Sequence, residues 1–126
     1  MPDASSRRGL IDTSVMIALD SLGEEALPAE IAVSAMTLAE LAAGPHASDD
    51  TVERARRQER LQLTEATFDV IPFDQACARA YGRVYAETIA AGRKARGRRA
   101  IDLLIAATAL AAELPCTRPI LPTSMG

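Results

Sequence analysis

Short apolar segments alternate with longer helical segments along this chain, and that alternation is the feature that most restricts its fold. Strands are predicted at residues 9–11, 31–34 and 68–72. Helices are predicted at about 15–19, 37–43, 51–66, 75–91 and 101–113. Strands that alternate with helices form βαβ units, so we expect an α/β fold whose parallel sheet has helices on both faces.

The composition is that of an ordinary folded domain. With 126 residues, 48% of them hydrophobic, we expect a single domain over 1–126 with a loose terminus at 1–8. The net charge of −3 counts against a freestanding nucleic-acid binder, but not against an enzyme whose acids hold a cation. Cys77 and Cys116 form neither a metal-ligand spacing nor a disulfide framework. No apolar run is long enough to cross a membrane, so we expect a cytoplasmic protein.

Three carboxylates interrupt some of the most apolar segments of the chain. Asp12 lies between apolar segments 10–11 and 15–17, Glu40 lies within 36–43, and Asp102 lies within 101–107. An ionised carboxylate removed from water costs several kcal/mol unless it is paired, and those segments hold few lysines or arginines. A divalent cation would offset the mutual repulsion of the three acids. The sequence therefore predicts a site for Mg²⁺ or Mn²⁺, which prefer oxygen ligands.

The predicted topology also favours a common site. Asp12 follows the first strand, Glu40 lies on the helix after the second, and Asp102 is predicted in a first helical turn. The helix dipole stabilises an anion in a first helical turn by about 0.3–1 kcal/mol, and sites in such folds lie at the carboxyl ends of the strands. Each acid has an ordinary interpretation as well: Asp12 as an N-cap, Glu40 on a narrow polar stripe with Thr37, and Asp102 as a first-turn acid without a ligand. The prediction of a cation site therefore depends on the occurrence of all three acids together.

Three ordered motifs contain these acids. They are Leu-Ile-Asp-Thr-Ser-Val at 10–15, Ser-Ala-Met-Thr-Leu-Ala-Glu-Leu at 34–41 and Asp-Leu-Leu-Ile-Ala-Ala-Thr-Ala-Leu at 102–110. Together they resemble the PIN-domain ribonucleases, most closely the VapC-type toxins of bacterial toxin–antitoxin pairs. The resemblance spans about residues 9–118, and the third motif is the most specific of the three.

The resemblance implies a Mg²⁺- or Mn²⁺-dependent endoribonuclease with a Rossmann-like, three-layer α/β/α sandwich. Members of the family commonly form homodimers, are silenced by a cognate antitoxin protein, and cut structured RNA such as tRNA or rRNA. Carried over by motif, Asp12, Glu40 and Asp102 are the catalytic and metal-site residues. Ser14 is an auxiliary hydroxyl beside Asp12, although a local cap explains it equally well.

The C-terminal tail, residues 116–126, departs from the family's pattern. The family usually continues after Leu-Pro with a segment that contains a further acid, whereas no Asp or Glu follows Glu113 here. We therefore expect three site acids instead of four, weaker metal affinity and poor activity. Thr117 is an auxiliary hydroxyl nearby that does not replace a charge. A shortened or replaced tail is our hypothesis, and the same tail in relatives would contradict it.

A basic segment, residues 93–99, comes just before Asp102. It is either a solvated loop or a guide for RNA phosphates toward an acidic cleft, in which case Arg96, Arg98 and Arg99 bind RNA. The sequence contains no aromatic-rich stacking platform, so it predicts no base preference. The only histidine, His46, is expected at the surface in a loop, which excludes a histidine-pair nuclease.

Two functions other than a nuclease are also compatible with parts of the sequence. The first is a catalytically impaired PIN-fold interaction module that still dimerises and binds an antitoxin, which the missing tail acid favours. The second is a phosphotransfer enzyme with Asp12 as its nucleophile. Such enzymes typically have a second Asp two residues later, where this chain has Ser14, so this function ranks below the others.

Overall fold

The computed structural model describes residues 8–18 and 29–117, except for the side chains of Arg98 and Thr117. The strands are β1 (Arg8–Ile11), β2 (Glu30–Ser34), β3 (Asp69–Ile71) and β4 (Cys116–Thr117). The helices are α1 (Thr13–Ile17), α2 (Ala35–Ala43), α3 (Thr51–Thr67), α4 (Gln75–Ala90) and α5 (Arg98–Ala112), with a 3₁₀ turn at Gly44–Ala47.

The four strands form one parallel sheet in the order β3-β2-β1-β4. Residues that face one another across the strands share a face of the sheet. Ile11, Val33 and Val70 are in register on one face, and Leu10 and Cys116 are in register on the other. Both faces of β1 are therefore apolar, as a strand covered on both sides requires.

Each face of the sheet has its own apolar cluster. On one face, Ile11 and Val33 pack with residues of α1 and α2, and Leu61 of α3 lies against them. On the other face, Leu10 packs with Ile105 and Ala109 of α5. Helices thus cover both faces, and the expected three-layer α/β/α sandwich is confirmed.

Four of the five helices begin after a residue whose side chain caps the first turn. The caps are Asp12 for α1, Ser34 for α2, Asp50 for α3 and Asp74 for α4. The fifth helix, α5, begins after Gly97, which has a φ of +67° and forms no side-chain cap. Helix α4 ends at Ala90, and Gly92, two residues later, has a φ of +78° that fits the left-handed position of a helix-terminating turn. The Gly92 N–H donates to Ile89 O, and the Arg93 N–H donates to Thr88 O.

Helices α1, α2 and α5 begin two or three residues earlier than predicted, and two segments that were expected to be irregular belong to regular elements. The loose terminus was expected to include Arg8, which instead belongs to β1; residues 1–7 lie outside the described part of the chain. Arg98 and Arg99 were expected in a basic loop but form the first turn of α5. A helix begins where its backbone hydrogen bonds begin, and charged side chains in the first turn do not prevent those bonds from forming. Residues 20–28, where polar residues with Gly23 and Pro28 predict a loop, also lie outside the described part of the chain.

The structure also describes the two cysteines, the lengths of the helices and the position of His46. Cys77 is buried, Cys116 is half-buried, and neither is in a disulfide. Among the helices in residues 8–18 and 29–117, none has the length and apolar character to cross a membrane. His46 is exposed in the 3₁₀ turn, so its expected surface position is confirmed.

The cap of α4 generates a pH-dependent prediction. Cys77 N–H donates to Asp74 Oδ1 at 3.0 Å, and this bond, with a smaller contribution from the Cys77 thiol, lowers the pKa of Asp74 below its ordinary 3.8. A carboxyl with a lowered folded-state pKa adds stability above its unfolded pKa, and that stability disappears as pH falls through the folded value. Asparagine also caps helices but does not titrate.

We expect the unfolding free energy of the wild type, relative to Asp74→Asn, to be constant above about pH 5 and to fall below about pH 4. Urea denaturation at a series of pH values measures this difference. A difference that is independent of pH would contradict the role assigned to the Asp74 charge.

Candidate functional site

The predicted site lies at the carboxyl edge of the sheet, where β1 and β2 end. Asp12 directly follows β1, and Ser34 is the last residue of β2. Helix α5 turns back through residues 113–115 into β4, which is parallel to β1, so α5 runs opposite to the strands. The amino-terminal end of α5, with Asp102, therefore points toward the same edge as Asp12.

Asp12 is held in place as the N-cap of α1. Its Oδ1 accepts the Val15 N–H at 3.0 Å and the Ser14 hydroxyl at 2.9 Å. The capping interpretation is thus correct, and Ser14 lies beside Asp12 as the motif implies. A carboxylate can accept about four hydrogen bonds or metal contacts, so capping and metal binding are compatible.

Glu40 is held by a hydroxyl from a different helix. The Thr13 side chain, at the start of α1, donates to Glu40 Oε1. Thr13 also contacts the Thr37 hydroxyl at 3.1 Å, one turn before Glu40 in α2. Glu40 is half-buried, but Thr37 is fully buried, so the alternative interpretation of a water-facing polar stripe shared by these two residues is wrong.

Asp102 differs from its prediction in two respects. It is the fifth residue of α5, beyond the first turn, because the helix begins at Arg98. It is also exposed, whereas the apolar segment around it predicted a carboxylate removed from water. The reason is the helical period: Ile101, Ile105 and Ala109 belong to the face that packs on the sheet, and Asp102 lies off that face.

The acid set has the right chemistry for a hard divalent cation, because carboxylate oxygens are the ligands that Mg²⁺ and Mn²⁺ prefer. Within residues 8–18 and 29–117, however, no three His, Cys, Asp or Glu side chains are close enough together to hold one ion. Asp12 is followed directly by Thr13, which donates to Glu40, and Asp102 lies at the end of α5 that points to the same edge. In the described part of the chain, the three acids do not surround a single point. Thr117 pairs through its backbone with Ile11, and its side chain is not among those described.

A groove of about 450 Å³ opens beside Glu40. Its lining includes Thr13 and Ile17 from α1, Leu41 from α2, and Arg57 and Arg60 from α3. Arg57 donates to Glu53 Oε2 at 2.9 Å and to the Gly44 carbonyl at 2.9 Å, which ties α3 to the end of α2. These arginines lie in the charged stretch of residues 53–60, whose alternating signs predict a solvated helix face, so the sequence did not predict their place beside Glu40.

The basic segment is exposed, as both interpretations of it require. Arg93, Lys94, Arg96 and Arg99 are exposed, and no carboxylate in the described part of the chain pairs with Arg96 or Arg99. Arg99 lies three residues before Asp102, so positive charge adjoins the end of α5 that points to the carboxyl edge.

Comparison with known proteins identifies the family. The PIN-domain family model matches residues 9–116. The chain belongs to the PIN-domain family. Its matched region begins in β1 and ends in β4, so the family's pattern covers every described element of this PIN domain except the first residue of β1 and the last of β4.

Similar proteins confirm the expected VapC-type resemblance. Ribonuclease VapC8 of Mycobacterium tuberculosis (strain CDC 1551 / Oshkosh) is 43% identical over 102 residues, which are 80% of this chain and 89% of that protein. Ribonuclease VapC5 of M. tuberculosis (strain ATCC 25618 / H37Rv) is 37% identical over 110 residues, covering 85% and 78%. The crystal structure of VapBC-5 from M. tuberculosis, a member of the VapBC family of toxin–antitoxin systems, matches with a TM-score of 0.76 at 37% identity, covering 86% of this chain and 82% of that one.

Proposed function

We propose that this PIN domain is a Mg²⁺- or Mn²⁺-dependent endoribonuclease that serves as the toxin of a toxin–antitoxin pair. One observation supports it most directly: Asp12 and Glu40 are fixed at the carboxyl edge of a parallel sheet, by the α1 cap and by the Thr13 hydroxyl. Ligands bind at that edge in open α/β sheets. The relatives named ribonucleases share more than a third of their aligned residues with this chain.

Each acid has a separate task in this proposal. Asp12, Glu40 and Asp102 supply the oxygens that bind the cation, with Ser14 orienting Asp12. The cation, when bound, polarises the phosphodiester and increases the acidity of a water molecule. One of the three carboxylates would act as the general base and accept a proton from the attacking water. Arg96, Arg98 and Arg99 attract the phosphates of a structured RNA, such as tRNA or rRNA, toward an edge that would otherwise repel it.

A catalytically impaired interaction module is the second proposed function. Two observations favour it: no Asp or Glu follows Glu113, and the described residues form no group of three potential ligands around one point. Such a protein would still bind an antitoxin and dimerise but would not cleave RNA. Metal-dependent turnover separates the two functions.

The first prediction of the proposed function concerns the three acids. Replacing a metal ligand costs more than replacing a residue behind it, which typically costs 10–100-fold. We therefore expect Asp12→Asn, Glu40→Gln and Asp102→Asn each to reduce Mn²⁺-dependent RNA cleavage by at least about 100-fold. Purified protein and total RNA, analysed on denaturing gels with and without Mn²⁺, provide the measurement.

Asp69→Asn and Glu113→Gln are matched controls, because both residues lie at the opposite, amino-terminal edge of the sheet and are exposed. Both controls should cleave RNA as the wild type does. Absence of Mn²⁺-dependent cleavage by the wild type would favour the interaction module. Cleavage that survives all three acid substitutions would exclude this site.

The second prediction concerns the basic segment. For single-stranded RNA, each phosphate that the protein neutralises contributes about −0.7 to the slope of log affinity against log salt. We expect the triple change of Arg96, Arg98 and Arg99 to Gln to weaken RNA binding. The same change should flatten that slope by about 0.7 for each phosphate that the variant no longer neutralises. Filter binding at several salt concentrations measures both effects.

The control for the basic segment changes the net charge equally at another surface. Arg54 on α3 and Arg79 and Arg83 on α4 are exposed, and their triple change to Gln should leave the salt slope near that of the wild type. If both triple variants lose affinity equally, the effect is due to net charge alone, and the guiding role is wrong.

The third prediction concerns partners. We expect the protein to sediment at twice its monomer mass. We also expect the small protein encoded directly upstream to co-purify with it and to inhibit RNA cleavage when the two are co-expressed. Sedimentation of the purified chain and affinity co-purification of the two products measure these properties. A monomer would contradict the proposed homodimer, and a neighbouring product that neither binds nor inhibits would contradict the antitoxin.

A further inference from the structure

Thr37 lies at the centre of a chain of hydroxyl groups that ends at Glu40. Its side chain is fully buried, and its Oγ1 is 3.1 Å from Thr13 Oγ1 and 3.4 Å from Ser34 Oγ. Ser34 is also fully buried, and Thr13 is 9% exposed. Thr13 in turn contacts Glu40 Oε1. Three hydroxyls from the end of β2, the start of α2 and the start of α1 therefore connect in series to one carboxylate.

The direction of these hydrogen bonds follows from the number of protons. A hydroxyl has one proton, and an ionised carboxylate can only accept, so Thr13 donates its proton to Glu40. Thr13 Oγ1 must then accept from Thr37, and Thr37 Oγ1 must accept from Ser34. The Ser34 oxygen accepts the Thr37 N–H at 3.0 Å and remains able to donate its own proton. Every member of the chain is satisfied, and each hydroxyl donates toward Glu40.

Thr37 has no access to substrate. It is 0% exposed, and it is not among the residues that line the groove beside Glu40. Any effect of its hydroxyl on a bound cation or RNA must pass through Thr13 and Glu40. A glutamate side chain has three rotatable bonds, and ordering them on metal binding costs conformational entropy. A partner that orients the carboxylate in advance removes part of that cost and improves metal affinity.

We infer that Thr37 is a positioning residue of the metal site, which holds the Glu40 carboxylate through the Thr13 hydroxyl. The inference rests on the proposed function, since it assigns the residue that orients one of the proposed ligands. The hydroxyl chain anchors Glu40 to two neighbouring parallel strands, because Thr13 follows β1 and Ser34 ends β2.

The test compares the Mn²⁺ affinity of three variants by isothermal titration calorimetry on the full chain, below the melting temperature of each. Thr37→Val keeps the shape of the side chain and removes its hydroxyl, so we expect the dissociation constant for Mn²⁺ to rise about 10–100-fold. Thr37→Ser retains the hydroxyl and should bind Mn²⁺ as the wild type does. An unchanged dissociation constant in Thr37→Val, or failure of Thr37→Ser to restore affinity, would overturn the inference.

Thr64→Val is the matched control. Thr64 is fully buried in α3, like Thr37 in α2, but its hydroxyl donates to the Arg60 carbonyl at 2.8 Å within its own helix. A merely structural role would make the two valine variants alike, with both losing stability and neither losing Mn²⁺ affinity. Equal Mn²⁺ affinities in Thr37→Val and Thr64→Val would therefore overturn the positioning role.

Thr13→Val breaks the same chain one link closer to Glu40 and remains informative even if Thr37→Val does not fold. It should weaken Mn²⁺ binding by at least as much as Thr37→Val, and the double variant should be no weaker than Thr13→Val alone, because both residues act along one path. Losses that add in the double variant would overturn the inference. If the wild type neither binds Mn²⁺ nor cleaves RNA, the proposed function itself fails. If it does both while Thr37→Val matches it, only the positioning role fails.

Discussion

The structure depends on the burial of β1 on both faces and its pairing on both edges. Leu10 and Ile11 are fully buried on opposite faces, and β1 is hydrogen-bonded between β2 and β4. Burial of such a side chain contributes about 1.5–3 kcal/mol. Because Asp12 directly follows this buried strand, its backbone position is set by the core.

The polar groups at the end of β1 are arranged so that each is satisfied locally. No buried side-chain nitrogen or oxygen in the described residues lacks a hydrogen-bond partner. Buried hydroxyls cost free energy when unpaired, and Ser34, Thr37 and Thr13 satisfy one another before they reach Glu40. The Glu40 carboxylate therefore receives a hydrogen bond from a hydroxyl that is itself held by two buried hydroxyls.

Charge is distributed unevenly around this edge. The carboxylates lie at the end of the sheet, whereas Arg57 and Arg60 line the groove beside Glu40 and the exposed basic segment precedes Asp102. A polyanion would be repelled by the acids alone, and the flanking arginines reduce that repulsion. The chain as a whole is acidic at −3, so any attraction of RNA depends on this local arrangement and not on net charge.

The sequence by itself determined the order of the helices and of strands β1 to β3, the Asp12 cap of α1, the parallel sheet with two covered faces and the motifs that contain Asp12, Glu40 and Asp102. These depend on local periodicity and capping, which act over a few residues. Only the tertiary structure decided that Thr37 is buried, that Asp102 is exposed and that Thr13 holds Glu40. The physical reason is distance along the chain: Thr13 meets Thr37 and Glu40 across 24 and 27 residues, and only the pairing of β1 with β2 brings them together.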